Sequence, residues 1–312
     1  QYGELPSEKL EGAYVLDPIK DVYNDPIAVA DYTSLYPSAM ISKNMSHETI
    51  AYLKKHLGPE GKLYLESKGY FVNDVSYEGN VYTNNDPEKD NMPCDPKSVG
   101  TQTVRFVSKK DPITGKAICD GIIPTVLKEL LKKRKDVKKL MKKAYKEGNY
   151  FLASVLNGMQ LALKITANSI YGQTGGRVSK FRNTSIASAT TAEGRSMLMH
   201  AKHFVEKHYK NNHLKIDSLK VIIKDAVVIY GDTDSIFIKF ITVDYDGNLV
   251  TGDKALQAAV LAGENVEKVA AYEPWLLNPH CLEYEKTFYP FIIVSKKKYV
   301  GIKYEAGKTV GK

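Results

Sequence analysis

Tyr230-Gly231-Asp232-Thr233-Asp234-Ser235-Ile236-Phe237 is the stretch on which the reading of this chain turns. Val227, Val228, Ile229 and Tyr230 form a β-prone run and residues 235–240 alternate in character. The Gly-Asp-Thr-Asp between them therefore reads as a hairpin turn carrying two carboxylates. Side chains two apart in extended backbone point the same way, so Asp232 and Asp234 would converge on one cation. Asp-x-Asp is also an ordinary turn composition, since Asp tolerates tight-turn geometry. The choice between the two readings rests on the other 304 residues of the 312.

With 43% hydrophobic residues the chain can build one large domain or two modest ones. No apolar run approaches a membrane span, and the Gln1-Tyr2-Gly3-Glu4 start has neither an initiating Met nor a signal pattern, so a piece of a longer protein is expected. Cys94, Cys119 and Cys281 are too scattered for a zinc site or a disulfide framework and read as reduced intracellular thiols. The net charge is +8, and residues 124–146 hold ten basic residues against two acidic ones. That one segment matches the whole excess. Part of it is a solvated lysine face; the concentration suits a polyanion such as a nucleotide triphosphate or a nucleic-acid backbone.

In chain order, residues 1–26 read as irregular apart from a short strand at residues 11–16. Residues 27–30 (Ile-Ala-Val-Ala) read as a buried strand delivering Asp31 at its end, after which Pro37 favours a helix start. Residues 43–120 read as short strands and loops, with a turn at 83–87. From Gly121 the spacing of Leu127, Leu130, Leu131, Val137, Leu140, Met141 and Ala144 predicts a helix. Gly148 and Asn149 break it, and residues 150–171 resume it, giving an antiparallel helical hairpin. Further helices are expected at 185–209 and around 255–272. The stretch from Cys281 reads as β-structure ending in the basic cluster Lys296-Lys297-Lys298-Tyr299.

Asp31, Asp232 and Asp234 on two strand ends would make a hard oxygen site suited to Mg²⁺. Two such ions can clamp the attacking and leaving oxygens of a phosphoryl displacement. Cations for the departing charge are at hand. Arg134 and Lys138 are four apart on the first helix of the hairpin; on the second, Lys164 and Asn168 are four apart, with Tyr171 three further on.

The motifs now resemble a known family. Asp31-Tyr-Thr-Ser-Leu-Tyr-Pro-Ser38, Lys164-Ile-Thr-Ala-Asn-Ser-Ile-Tyr-Gly172 and Tyr230-Gly-Asp-Thr-Asp-Ser235 look like the three polymerase motifs of the family B (polymerase α-like) DNA polymerases, in the family's order. The Lys-Lys-Lys-Tyr cluster is similar to its duplex-contacting motif. The resemblance spans nearly the whole chain. It implies an α+β right-hand palm with a central antiparallel sheet, at 1–120 (with inserted loops) and 177–312, and a helical-hairpin fingers subdomain at 121–176. It implies a DNA-directed DNA polymerase of DNA replication, a nucleotidyltransferase using two Mg²⁺ ions, primer-template DNA and deoxynucleoside triphosphates.

Carried over residue by residue, Asp31 and Asp232 resemble the metal ligands and Asp234 the third catalytic carboxylate, with the Tyr32 carbonyl adding a metal contact. The N–H groups of Ser34 and Leu35, with Arg134, Lys138 and Lys164, resemble the triphosphate contacts. Asn168 and Tyr171 resemble the lining of the base-pair pocket, and Tyr36 the gate against the ribose 2′-hydroxyl. Gly172, Lys297, Lys298 and Tyr299 resemble contacts to the primer-template. Ala39 stands where a larger aliphatic is usual, a packing change. The family's exonuclease motifs and thumb are expected outside this stretch, which alone is expected to be weakly active or inactive. The run Tyr171-Gly-Gln-Thr-Gly-Gly176 looks more like polymerases of large DNA viruses, placing the protein in the nucleus or cytoplasm of an infected cell; a processivity partner is not legible. Two other classes compete with this reading. A metal-dependent glycosyltransferase also uses Asp-x-Asp, but explains neither the lysine-loaded hairpin nor the Asp31 motif. A non-catalytic nucleic-acid-binding module explains the charge and leaves three acids beside a polyanion site as an unexplained electrostatic cost.

Overall fold

A computed structural model describes residues 12–81, 97–111, 113–118, 120–176 and 178–305. The turn expected at 83–87, Cys94, Cys119 and the first residue of the strand expected at 11–16 lie outside them. In chain order the first elements are β1 (Asp21–Tyr23), β2 (Ile27–Tyr32), α1 (Leu35–Ser42), α2 (Gly58–Ser67), β3 (Tyr70–Val81), β4 (Lys97–Lys110) and β5 (Ala117–Ile118). The helices α3 (Ile122–Lys146), α4 (Tyr150–Gly175) and α5 (Thr184–Asn211) follow. Then come β6 (Leu214–Ile216), β7 (Val221–Asp232), β8 (Ser235–Asp244), α6 (Gly252–Ala270), β9 (Leu282–Ser295) and β10 (Lys298–Tyr304). They form two compact units, one of Gln1–Gly12 and Tyr36–Glu193, the other of Ala13–Leu35 and Gly194–Lys312.

The second unit is built on an antiparallel sheet, ordered β1-β9-β2-β8-β7-β6 with β10 pairing β9. Strand β2 lies between β9 and β8, and its Ile27, Ala28, Val29 and Ala30 are at most 1% exposed, which is why that run is apolar without alternation. One sheet face is covered by the second half of α5 and by α6. The Tyr32 hydroxyl donates to the Met197 carbonyl (2.8 Å), and Tyr209 packs edge-on against Phe240. Helix α6 sits close because residue 263 is glycine: a Cβ there would come within 2.4 Å of the Tyr284 ring. On the opposite face Tyr23, Tyr230, Phe237, Phe288 and Phe291 form an aromatic core on which the Tyr299 ring packs.

The first unit holds the helical hairpin. Helix α3 ends where Gly148 takes φ 71°, and Asn149 starts α4, its side-chain oxygen accepting from the Leu152 N–H (3.0 Å). The start of α3 has no cap of its own. The loop at 44–48 caps it instead: Asn44 Oδ1 accepts from Gly121 N, Ser46 Oγ from Ile123 N, and Glu48 Oε1 from Ile122 N (2.5 Å). Leu127, Ala167, Ile186 and Phe106 belong to the buried core of this unit.

The helices at 121–176, 185–209 and 255–272 stand where periodicity places them, within a few residues. Elsewhere the structure corrects the reading. Residues 13–16 form no strand beyond a single bridge from Val15 to Asp232, and the first strand comes later, at β1. The stretch 43–120, expected to hold short strands and loops, carries helix α2 and a hairpin of 12- and 14-residue strands. A buried fork explains that hairpin's anchoring: Arg105 donates to both Asp74 oxygens (2.7 Å each) and to the carbonyls of His56 and Gly58. Partners distant in sequence leave no periodic signal. The basic cluster after β9 is not the end of the β-structure but its turn, with β10 continuing to Tyr304.

Candidate active site

Asp31 pairs with Ser235 across β2 and β8, and Ser235 pairs with Asp232 across β8 and β7. Directly opposed residues share a sheet face, so the three form one row in which two half-buried carboxylates flank a serine hydroxyl. The acids lie on the face of the aromatic core, at the strand ends.

Asp234 arrives differently from expectation. It is not in extended backbone: Thr233 takes φ 60°, and the Asp234 N–H donates to the Asp232 carbonyl at 2.6 Å, the i to i+2 bond of a γ-turn. A β-branched residue at positive φ is strained, and the surroundings hold it there. The Thr233 N–H donates to the Tyr14 carbonyl, and the Asp234 carbonyl accepts from the Tyr32 N–H (2.8 Å), tying the turn to the end of β2. The alternation that predicted Asp232 and Asp234 on one face is therefore broken at Thr233.

Three groups close on the Asp232 carboxylate. Lys297 Nζ donates to both oxygens (2.8 and 3.1 Å), Thr233 Oγ1 to Oδ1 (3.1 Å) and the Tyr230 hydroxyl to Oδ2 (3.3 Å). The Ser235 hydroxyl donates instead to the backbone carbonyl of Asp232 (3.3 Å). The same Tyr230 oxygen accepts the Lys297 N–H at 2.9 Å. The hydrogen bond to Asp232 raises the Lys297 ammonium above the ordinary lysine value, with Asp234 adding to it. Burial raises the Tyr230 phenol, and the nearby Asp232 charge pushes the same way against the Lys297 N–H. From sequence Tyr230 reads as a strand residue only; its place two residues before Asp232, on the same face, is the signal for this contact. Nothing in the sequence singles out Lys297 from Lys298 as the partner of Asp232.

Among the described residues no group of three His, Cys, Asp or Glu side chains could hold a metal ion unaided. What the row's two carboxylates offer is acceptor-only oxygens, those of Asp232 receiving the Lys297 ammonium. That donor chemistry fits a hard divalent ion that takes few protein carboxylates and fills its shell with water and phosphate.

At the exit of β2, Ser34 takes φ 53° and Leu35 opens α1, with Pro37 in the first turn. The first N–H groups of a helix have no partner within it. In the first unit, Lys138, Lys164, Asn168 and Gly172 are exposed along α3 and α4, whereas Arg134 is half-buried and its Nε donates to Gln160 across the hairpin (3.3 Å). Tyr36 and Tyr171, 135 positions apart, are brought together with ring centroids 4.5 Å apart. A Cβ at Gly172 would meet no atom within 4 Å, so nothing described in the protein itself requires glycine there. Lys298 is exposed beside Lys297, and the Tyr299 ring rests against Phe237 at 5.1 Å.

An antiparallel sheet with two acids in one row beside a strained Asp-Thr-Asp turn, and a separate basic helical hairpin, agree with the family suggested by the motifs. The family model for DNA polymerase family B matches residues 4–312, and the chain belongs to that family. The DNA polymerase of Pyramimonas orientalis virus is 36% identical over 96% of this chain and 25% of its own length. The DNA polymerase delta catalytic subunit of Dictyostelium discoideum is 34% identical over 95% of this chain and 21% of its own. The DNA polymerase of Phaeocystis pouchetii virus is 36% identical over 83% and 25%. The chain thus spans a quarter or less of the length of these curated relatives. Among the described residues no helix is long and apolar enough to cross a membrane.

Proposed function

We propose that this chain carries the nucleotidyl-transfer centre of a DNA-directed DNA polymerase acting in DNA replication inside the cell. It adds deoxynucleoside monophosphates to a primer 3′-OH under template direction and releases pyrophosphate. The observation that carries the reading is the Asp31–Ser235–Asp232 row. Membership of a family whose relatives are named DNA polymerases supports it.

Two Mg²⁺ ions, when bound, would neutralise the reacting phosphates and activate the attacking oxygen. The carboxylates of Asp31 and Asp232, the Tyr32 carbonyl and Asp234 would hold them. The N–H groups of Ser34 and Leu35 take triphosphate oxygens, as a helix start is suited to do. Arg134, Lys138 and Lys164 neutralise the rest of the triphosphate, and Asn168 and Tyr171 contact the incoming base pair. Tyr36, its ring set against Tyr171, excludes a 2′-hydroxyl. Gly172, Lys297, Lys298 and Tyr299 contact primer-template.

Asp232→Asn is nearly isosteric and removes the charge on which the cations depend. In the full polypeptide, primer extension should fall by well over a hundredfold with DNA affinity little changed. Extension within about tenfold of wild type, roughly 1.4 kcal/mol, would remove Asp232 from the metal site.

A further inference from the structure

Lys297 stands in the turn between β9 and β10 at φ 63°, a conformation that a lysine rarely adopts. Its main chain is pinned by the bond from its N–H to the Tyr230 hydroxyl, and its ammonium bridges both oxygens of Asp232. The neighbouring lysine does something else: Lys296 Nζ pairs with Asp17 (2.9 Å) and donates to the Val15 carbonyl (3.0 Å). The strained turn therefore delivers one particular lysine to one particular carboxylate. The Lys297 side chain is 64% exposed and that of Asp232 21%, so the ammonium covers the carboxylate from the solvent side.

We propose that Lys297 is an internal cation that occupies Asp232 in the metal-free protein and is displaced when a divalent ion binds there. The inference rests on Asp232 being a metal ligand and assigns to Lys297 a role that the metal reading does not contain. Two oxygens that both receive the ammonium cannot present the same lone pairs to an ion, so the two cations compete. The exposed stem can swing into water without unpacking the core. Displacement also frees a positive charge for a nucleic-acid phosphate, so cation binding and polyanion binding at this turn reinforce one another, each changing the other's affinity by the same factor.

The test is Mn²⁺ binding to the full polypeptide without DNA or nucleotide, with unbound Mn²⁺ measured by electron paramagnetic resonance. Wild type is compared with Lys297→Met, Lys296→Met and Asp232→Asn. An exposed ion pair sets the scale, so Lys297→Met should bind Mn²⁺ up to about fivefold more tightly. Lys296→Met removes the same charge one residue away and should stay within about 1.5-fold of wild type. Equal tightening in both lysine variants would mean a general charge effect and overturn displacement. Unchanged affinity in Lys297→Met, with binding lost in Asp232→Asn, would overturn displacement while leaving the metal reading intact. Wild-type binding that survives Asp232→Asn would overturn both. A melting curve for each variant shows whether it is folded, and Lys297→Gln provides a second replacement should Lys297→Met not be.

Discussion

The rings of Tyr36 and Tyr171 lie against one another, centroids 4.5 Å apart and planes inclined by 32°. One residue comes from the first turn of α1 and the other from the last turns of α4, so the position of the Tyr36 ring is set by a contact the local sequence does not contain. Both side chains keep partial exposure, unlike Tyr32, Tyr209 and Tyr230, which are fully buried.

If Tyr36 is the sugar gate, Tyr36→Ala should raise ribonucleotide incorporation relative to deoxynucleotide by at least about tenfold, roughly 1.4 kcal/mol in discrimination. Tyr36→Phe keeps the ring and its contact with Tyr171, and should leave the ratio within about twofold. Single-nucleotide extension with matched substrates reads the ratio. Parallel loss of both activities in Tyr36→Ala, or a protein that no longer folds, would make the ring a packing element instead.

The three hairpin cations assigned to the triphosphate should separate by their surroundings. Lys138 and Lys164 are exposed, so Lys138→Ala and Lys164→Ala should leave stability within about 0.5 kcal/mol. They should lower kcat/KM for the incoming nucleotide through loss of a phosphate contact of about 1.5–3 kcal/mol. Arg134→Ala also leaves the buried Gln160 without a donor across the hairpin, so it should lower both quantities. Steady-state kinetics beside urea denaturation checks the split. A large loss of DNA affinity at unchanged kcat/KM for nucleotide would move these residues to the duplex surface.

Glu48 gives the helical hairpin a pH-dependent anchor. Partial burial works to raise its carboxyl, but the Ile122 N–H and the Ser46 hydroxyl outweigh it and hold the group below the usual carboxylate range. A depressed folded pKa contributes stability that is fully present above the unfolded value of about 4.3 and lost as pH falls through the folded value. Glu48→Gln should therefore cost about 0.5–1 kcal/mol at pH 7, the lower half of the range for a lost helix cap because the side chain is mostly exposed despite that partial cover. The difference from wild type should vanish once the pH has fallen below the folded value. Urea midpoints at pH 7 and below that value read it; an equal deficit at both would assign the loss to shape rather than charge.

Much of this protein was legible from its residues alone because the informative interactions are local. The period of Leu127, Leu130 and Leu131, interrupted at Gly148-Asn149, specifies two helices and the turn between them, since a helix bonds only within itself. The apolar run from Ile27 to Ala30 announces a strand buried on both faces, and the motifs around Asp31, Lys164 and Asp232 announce the family. What only the tertiary structure decided are relations across long sequence separations or within a single unusual dihedral. The row of Asp31, Ser235 and Asp232 depends on the register of three strands, which hydrogen bonds between distant segments set. The placement of Asp234 depends on one positive φ at Thr233, which no alternation pattern encodes. Lys296, Lys297 and Lys298 are chemically identical; the geometry of the β9–β10 turn alone gives Asp17 to the first and Asp232 to the second. Side-chain chemistry states what each residue can do, and backbone register selects the partner with which it does it.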